Sequence, residues 1–151
     1  TMCHICLRAH ARASQPPAIF SGDTLFNAGA GNCHNGGDPA ALYDTFVQQL
    51  ARLPEDTRVY PGHDYIENNL RFTLAREPDN ADAQALLPEV TEHDPKAARV
   101  TTLADEKRFN TFFRLTSPGL IARLREAFPD LPAALDPKTV FIKLRELRNK
   151  W

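Results

Sequence analysis

The chain has 151 residues, of which 42% are hydrophobic and 25% charged, and its formal net charge is -1. This length suffices for one ordinary domain or two small ones, and the composition is typical of a globular protein. The near-neutral charge gives no electrostatic reason to expect nucleic acid or an anionic membrane as partner. No apolar run approaches the roughly 20 residues of a spanning helix. The three cysteines are too few for a disulfide scaffold, which favours a reducing compartment.

Up to about His63, short apolar runs alternate with glycine-rich turns, of which the stretch 27–38 is the longest. Three of the runs predict short buried strands: 3–7, 18–20 and 58–60. Asp38-Pro39 predicts the start of a helix, with Asp38 as N-cap and Pro39 in the first turn. Four apolar residues at helical spacing form its buried stripe: Leu42, Phe46, Leu50 and Leu53. This order of strand, helix and strand predicts an α/β layer.

After His63, nearly every segment predicts helix. Residues 65–77 and 81–87 predict two helices, and capping signals predict the starts of three more: Thr102 with Asp105, Ser117-Pro118, and Asp136-Pro137. In the last helix, four apolar residues are expected to be buried: Val140, Leu144, Leu147 and Trp151. Arg145 and Arg148 are three residues apart, so they are expected to project from the same side of that helix.

Two potential metal ligands follow the ends of predicted strands. Asp23 follows the strand 18–20, and His63 follows the strand 58–60. Taken singly, each also fits a residue that caps a turn. Together they are more informative, because a linking helix brings the ends of both strands to one edge of a sheet. An Asp and a His meeting there suit Zn²⁺, Fe or Mn²⁺, although a catalytic metal needs at least three ligands.

Several further motifs occur in a recognisable order: Ser-Gly-Asp-Thr-Leu-Phe at 21–26, Gly-His at 62–63, Asn-Asn-Leu at 68–70, and Thr-Leu-Ala at 102–104. With Tyr65, Asn110 and residues 112–114, this set resembles glyoxalase II (hydroxyacylglutathione hydrolase) of the metallo-β-lactamase superfamily. The resemblance covers nearly the whole chain and implies its C-terminal portion. Residues 1–64 would form the second half of an αββα metallo-β-lactamase-like sandwich, and residues 65–151 an all-α glutathione-binding domain. Half a sandwich would leave a sheet face and an edge uncovered.

The resemblance also implies a function. The intact enzyme would cleave the thioester of S-D-lactoylglutathione to D-lactate and glutathione, as a step of methylglyoxal detoxification in the cytoplasm. Two metal ions are implied, with zinc in first place and iron or manganese as alternatives. Asp23 would be the catalytic carboxylate that bridges the two metals, and His63 would complete one of them. Four residues would contact glutathione: Tyr65, Asn69, Arg145 and Arg148.

The chain departs from the family's sequence pattern at two places. The segment 1–6, Thr-Met-Cys-His-Ile-Cys, matches the family's residues just after a ligand His, with Cys3 in place of Gly. It implies that the other ligands precede Thr1 and that this chain alone is inactive. The loop 32–35 lacks the basic and aromatic residues that family members often have there. His34 could take over a substrate contact or be a solvated loop residue.

Other interpretations stay open. Cys3-x-x-Cys6 with Cys33-His34 could form a structural zinc site, although strand spacing favours buried free thiols. One alternative function is a related glutathione-using metalloenzyme with one iron, such as a persulfide dioxygenase, against which the long helical extension argues. Another is the hydrolysis of a different thiol ester, which the altered loop 32–35 leaves possible. A third is a folded module without catalysis, in line with the missing ligands.

Overall fold

The computed structural model describes residues 5–34, 36–92 and 99–151. Its main sheet is mixed and has four strands in the order β1-β2-β5-β6: Leu7–Ala9 (β1), Ala18–Gly22 (β2), Arg58–Pro61 (β5) and Thr101–Thr102 (β6). β2 and β5 are parallel, whereas β1 and β6 run antiparallel to their neighbours. A separate hairpin pairs Leu25–Phe26 (β3) with Gly29–Ala30 (β4).

Within the described ranges, six α-helices follow or separate these strands: Pro39–Gln48 (α1), Ile66–Arg76 (α2), Ala81–Thr91 (α3), Leu103–Phe109 (α4), Pro118–Ala127 (α5) and Pro137–Asn149 (α6). Short 3-10 helices span Leu50–Arg52 and Thr111–Phe113. The chain is therefore an α/β unit followed by a mainly helical region. Among the helices of the described residues, none combines the length and apolar character needed to cross a bilayer.

The predicted strand–helix–strand unit is confirmed as β2, α1 and β5. Asp38 caps α1, because its Oδ1 accepts a hydrogen bond of 2.8 Å from the backbone N–H of Ala40. Ile19 and Val59, which lie opposite each other in the parallel pair, are both buried. Because β2 and β5 are parallel, their carboxyl ends reach the same edge of the sheet.

Two of the predicted caps in the helical region are also confirmed. Thr102 and Asp105 form a reciprocal capping box on α4. The Asp136 carboxylate caps α6 by accepting from the N–H of Thr139 at 3.0 Å. Ser117 precedes α5 as predicted but makes no side-chain cap. Its hydroxyl donates instead to the buried carboxylate of Glu77.

Two hydrophobic clusters hold these elements together. The larger cluster packs β2, β5, α1, α5 and α6 around the touching rings of Phe46, Phe112 and Phe141. The smaller cluster lies between α2, α3 and α4 and includes Leu70 and Phe109. The larger cluster draws side chains from both sides of residue 64, and the division of the chain into two domains at that point stays a prediction.

Two local predictions were wrong, and one predicted helix was too short. Of the strand predicted over 3–7, residues 3 and 4 lie outside the described residues. The described strand is Leu7–Ala9, and all its residues are exposed, because β1 is an edge strand with an uncovered face. The helix predicted over 81–87 continues to Thr91. Trp151 is 50% exposed rather than buried, since it lies beyond the end of α6 and touches the Phe72 ring only edge-on.

One face of the main sheet is open to solvent in the described residues. Leu7 lies opposite Phe20, and Phe20 lies opposite Tyr60, so the three side chains form a row across β1, β2 and β5. Leu7 is 65% exposed and Phe20 is 50% exposed. The rings of Phe20 and Tyr60 stack at 5.2 Å. This row is an apolar surface that no described element covers.

Candidate active site at the strand ends

Asp23 and His63 lie together at the carboxyl edge of β2 and β5. Gly22 adopts a left-handed conformation with φ 50°, which turns the chain after β2 and brings Asp23 over the end of β5. The N–H of Gly62 donates to the carbonyl oxygen of Gly22 at 2.9 Å and ties the two turns together. His63 Nε2 lies 3.5 Å from Asp23 Oδ1. The strand order therefore brings the two predicted ligands side by side.

Gly62 makes this approach possible. A Cβ atom at that position would lie only 3.2 Å from Asp23 Oδ1 and 3.3 Å from the Gly22 backbone. A side chain there would crowd the carboxylate, so glycine leaves room for Asp23 beside the second turn.

The two side chains open into a cavity of about 620 Å³. The side chain of Asp23 is 53% exposed and that of His63 is 56% exposed. The ring of Tyr65 stacks on His63 with centroids 5.3 Å apart, and Phe26 packs edge-on against Tyr65 at 5.1 Å. The first turns of α1, including Leu42, line another wall. The site therefore combines two accessible side chains of the types that bind metals with an aromatic wall.

The β3–β4 hairpin begins directly after Asp23 and is tightly packed against it. The N–H of Gly31 donates to Thr24 O at 3.1 Å, which closes the hairpin. A Cβ atom on Gly31 would lie 1.8 Å from the carbonyl oxygen of Asp23. Since that atom belongs to the backbone and cannot rotate away, only glycine fits at position 31.

On the side of the hairpin away from the cavity lies a buried carboxylate that no sequence motif indicated. Glu106 is fully buried, and its Oε2 accepts hydrogen bonds from the N–H of Ala28 at 2.9 Å and from Asn110 Nδ2 at 2.8 Å. Its Oε1 accepts from the Thr101 hydroxyl at 2.7 Å, and that hydroxyl accepts from Asn27 Nδ2 at 2.7 Å. Burial raises the pKa of Glu106 to about 7, against the lowering effect of these hydrogen bonds.

The remaining predicted site residues also contact the hairpin or one another. Asn69 is buried; its Nδ2 donates to Asn27 O at 2.9 Å, and its Oδ1 accepts from Arg148 Nη2 at 3.0 Å. Arg145 is 3% exposed, and its Nη1 donates to the carbonyl oxygens of Ala30 and Gly31 at 2.7 and 3.0 Å. Burial lowers the pKa of Arg145 to about 10, with a smaller contribution from the charge of Arg148.

These contacts divide the six predicted residues into two groups. Asp23, His63 and Tyr65 line the cavity. Asn69 and Arg145 are buried among protein groups, and Arg148 is half-buried beside Asn69. Burial also lowers the pKa of Arg148 from its usual value. The catalytic, metal-binding and substrate-binding roles of the six residues stay predictions.

Residues 64–151 match a family model described as Hydroxyacylglutathione hydrolase C-terminus. The chain belongs to this family. Its match includes α2 to α6, and therefore Asn69, Glu106, Arg145 and Arg148. The family assignment confirms the predicted resemblance to glyoxalase II.

Individual relatives of this hydroxyacylglutathione hydrolase family extend the match to the whole chain. A protein named Hydroxyacylglutathione hydrolase from Polaromonas sp. (strain JS666 / ATCC BAA-500) is 75% identical over all 151 residues, which are 56% of its own length. A protein of the same name from Nitrosococcus oceani is 71% identical, again over 100% of this chain and 56% of its length. The chain thus spans little more than half the length of these relatives.

Among solved structures, the crystal structure of ETHE1 from Myxococcus xanthus is similar to this chain at 27% sequence identity. The TM-score is 0.42, and the match covers 87% of this chain and 44% of that one.

The hydroxyacylglutathione hydrolase family implies a metal, and the pair at the strand ends fits one. Donor atoms about 2.1 Å from a tetrahedral ion lie about 3.4 Å apart. The observed separation of 3.5 Å between Asp23 Oδ1 and His63 Nε2 matches this value. Within the described residues no group of three His, Cys, Asp or Glu side chains forms a complete site. Asp23 and His63 therefore fit as two ligands of a larger set.

The other candidates from the sequence contribute less. His34 is exposed, and its backbone N–H donates to Asn32 Oδ1 at 3.2 Å. Cys6 and Cys33 are free, half-buried thiols that line the cavity. Cys3, the partner of Cys6 in the possible zinc site, lies outside the described residues, as do His4, Asn35 and His93.

Proposed function

We propose that this chain is the C-terminal part of a metal-dependent thioester hydrolase that cleaves S-D-lactoylglutathione to D-lactate and glutathione. The observation that carries the proposal is the Asp23–His63 pair at the edge of a parallel strand pair, in a chain of the hydroxyacylglutathione hydrolase C-terminus family. Since the chain spans 56% of its relatives' length, the activity is proposed for a longer protein that contains it.

The reaction is a hydrolysis without any change of oxidation state. Water adds to the thioester carbonyl carbon, the bond from carbon to sulfur breaks, and the sulfur leaves as a thiolate that takes up a proton. When bound, metal ions would lower the pKa of the attacking water and polarise the carbonyl. Asp23 and His63 would help to hold two metal ions. Zinc is the first expectation, and iron and manganese are the alternatives.

Tyr65 and Phe26 would orient His63. Tyr65 stacks on the imidazole at an interplanar angle of 20°, and Phe26 supports Tyr65 from the side. A ring held in this way keeps one plane, so Nε2 stays directed toward Asp23 when a ligand enters. The same aromatic wall gives the acyl or cysteinyl part of the substrate an apolar contact surface.

Arg148 would bind a carboxylate of glutathione. Its Nε and Nη2 both approach Asn69 Oδ1, at 3.4 and 3.0 Å, whereas Nη1 has no partner among the described residues. A guanidinium group suits a carboxylate through charge-assisted hydrogen bonds. Asn69 would mainly hold Arg148, and Arg145 would mainly hold the β3–β4 hairpin. Direct contact of either residue with glutathione stays a prediction.

The proposal includes the wider architecture. Residues 1–64 would form the second half of an αββα sandwich, and the exposed row of Leu7, Phe20 and Tyr60 supports this, because a sandwich covers such a face with a second sheet. The further metal ligands would come from outside the described residues. The chain alone would then be inactive, and a cytoplasmic location for the intact enzyme is part of the same proposal.

The test uses the longest reading frame that contains this chain. Purified protein is assayed for thiol release from S-D-lactoylglutathione, from the lactoyl thioester of coenzyme A, and for oxygen uptake with glutathione persulfide. Metal per chain is counted in the same samples. The proposal expects about two metals and turnover of the glutathione thioester above the other two substrates. Oxygen uptake with one iron, turnover of the coenzyme A thioester alone, or no turnover at all would each contradict it.

A further inference from the structure

Glu106 is an unusual residue to find behind a candidate active site. It is a fully buried carboxylate, and its partners are neutral donors from the hairpin, from β6 and from the residue that follows α4. Among the described residues, no charged side chain is a hydrogen-bond partner of Glu106. Arg145, which also contacts the hairpin, donates to backbone carbonyl oxygens instead. Burying a carboxylate without a cation is costly. We infer from this cost that Glu106 accepts hydrogen bonds that an apolar residue at this position could not accept.

What Glu106 holds is the tip of the β3–β4 hairpin. Ala28 has φ 57°, a left-handed conformation that strains any residue except glycine. Its N–H points into the protein and donates to Glu106 Oε2. The side chain of the preceding residue, Asn27, also hydrogen-bonds the same carboxylate, and it donates to the Thr101 hydroxyl, which in turn donates to Oε1. Both residues at the tip are thus bound to one carboxylate.

The hairpin transmits this arrangement to the site. Phe26 lies directly before the tip and packs against Tyr65 in the cavity wall. At the other end, Thr24 pairs with Gly31, and Asp23 directly precedes Thr24. We therefore expect a rotation of the tip to move Phe26 and, through the paired strands, Asp23.

We propose that Glu106 is a positioning residue, which holds the β3–β4 hairpin through Ala28 and Asn27 so that Asp23 and Phe26 stay in register with His63. The proposal rests on the proposed function only for its kinetic consequence. It also predicts that substitution of Glu106 increases the amide hydrogen exchange of the hairpin, which is measurable without any turnover.

The test compares four variants with the wild-type protein, each in the full-length chain. Glu106→Met fills a similar volume but offers no acceptor to Ala28, whereas Glu106→Gln keeps one acceptor oxygen. Thr101→Val removes the hydroxyl that donates to Glu106 Oε1 and accepts from Asn27, and it leaves the bond from Ala28 in place. Glu126→Gln alters an exposed carboxylate on α5 and serves as the control. Amide hydrogen exchange of residues 24–31, kcat and KM are measured well below the unfolding temperature of each variant.

Glu106→Met is expected to lose protection across residues 24–31 and to lower kcat about 100-fold with little change in KM, since a small misplacement of a reacting group costs that much. Thr101→Val should show the same changes more weakly, and Glu106→Gln and Glu126→Gln should stay near wild type. If Glu106→Met does not fold, Thr101→Val decides the question in the same way.

Protection and kcat equal to wild type in a folded Glu106→Met protein, with only a lower melting temperature, would overturn the proposal. If the wild type turns over no thioester, the proposed function fails, and the exchange of residues 24–31 alone still decides whether Glu106 positions the hairpin.

Discussion

The two sides of the β3–β4 hairpin are built from different kinds of contact. On the cavity side, Asp23 and His63 are more than half exposed. On the buried side, Glu106, Asn110 and Arg145 direct their polar groups to the protein backbone and to one another. We infer from this difference that the two sides have different roles. The cavity side keeps its donor atoms accessible for ligands, and the buried side uses hydrogen bonds to hold the backbone of the hairpin in place.

We expect the largest effect at Gly31, which lies in the hairpin against the backbone of Asp23. In Gly31→Ala the new Cβ would meet the Asp23 carbonyl oxygen at 1.8 Å, so the hairpin has to move. We expect a loss of about 3 kcal/mol in the free energy of unfolding, the upper end of what overpacking costs. Urea unfolding followed by circular dichroism measures it.

Gly119→Ala is the matched control for this substitution. A Cβ at position 119 would lie 3.7 Å from Asp79 Oδ1, an ordinary contact, and Gly119 lies in the first turn of α5. Alanine there should leave stability unchanged or raise it by up to about 1 kcal/mol. Equal effects of the two substitutions would contradict the close contact at Gly31.

The buried side should respond to pH through Glu106. Its pKa is about 7 in the folded chain against an ordinary value of 4.5, so the unfolded chain releases this proton first as the pH rises. The contribution to stability is therefore complete below about pH 4.5 and is lost progressively as the pH rises through about 7. At about 1.4 kcal/mol for each pH unit, the loss amounts to up to about 3 kcal/mol.

Glu106→Gln cannot ionise and should lack this dependence. The measurement is the free energy of unfolding of both proteins between pH 4.5 and 8, and the difference between the two curves isolates Glu106 from the histidines, which titrate in both. Parallel curves would show that the carboxyl group is not buried as described.

The cavity side should show the opposite behaviour: a large effect on activity and a small one on stability. Asp23→Ala in the intact protein should lower kcat by more than about 100-fold, since loss of even an outer partner of a metal site costs about 10–100-fold. Because the side chain is 53% exposed, the free energy of unfolding of the metal-free protein should change by less than about 1 kcal/mol.

Asp130→Ala, at an exposed position after α5, should change neither quantity. Kinetics and urea unfolding on the same three proteins check both expectations. An Asp23→Ala protein that is destabilised and fully active would reverse the assignment of the two sides.

The cavity side was largely predictable from the sequence. The position of Asp23 and His63 depends on local signals, namely two apolar runs, the cap at Asp38 and two glycine turns, together with the rule that parallel strands end at one edge. Each signal lies within a few residues of the group that it positions.

The buried side was not predictable in this way. In the sequence, Glu106 is an acid in the first turn of a capped helix, a place where exposed acids are common. Its burial depends on Ala28, which lies 78 residues earlier in the chain. Arg145 likewise resembles an exposed helix residue and is buried because its partners, Ala30 and Gly31, are more than 100 residues away. Trp151 continued the apolar spacing of α6, but the helix ends at Asn149.

We propose that Asp23 and His63 bind a catalytic metal together. The most direct measurement is a crystal structure of the intact protein, with anomalous diffraction recorded at the absorption edge of the metal that copurifies with it. The account predicts an anomalous peak about 2.0–2.2 Å from both the Asp23 carboxylate and His63 Nε2. A metal-free strand edge in an active enzyme, or a peak that neither side chain touches, would contradict the account.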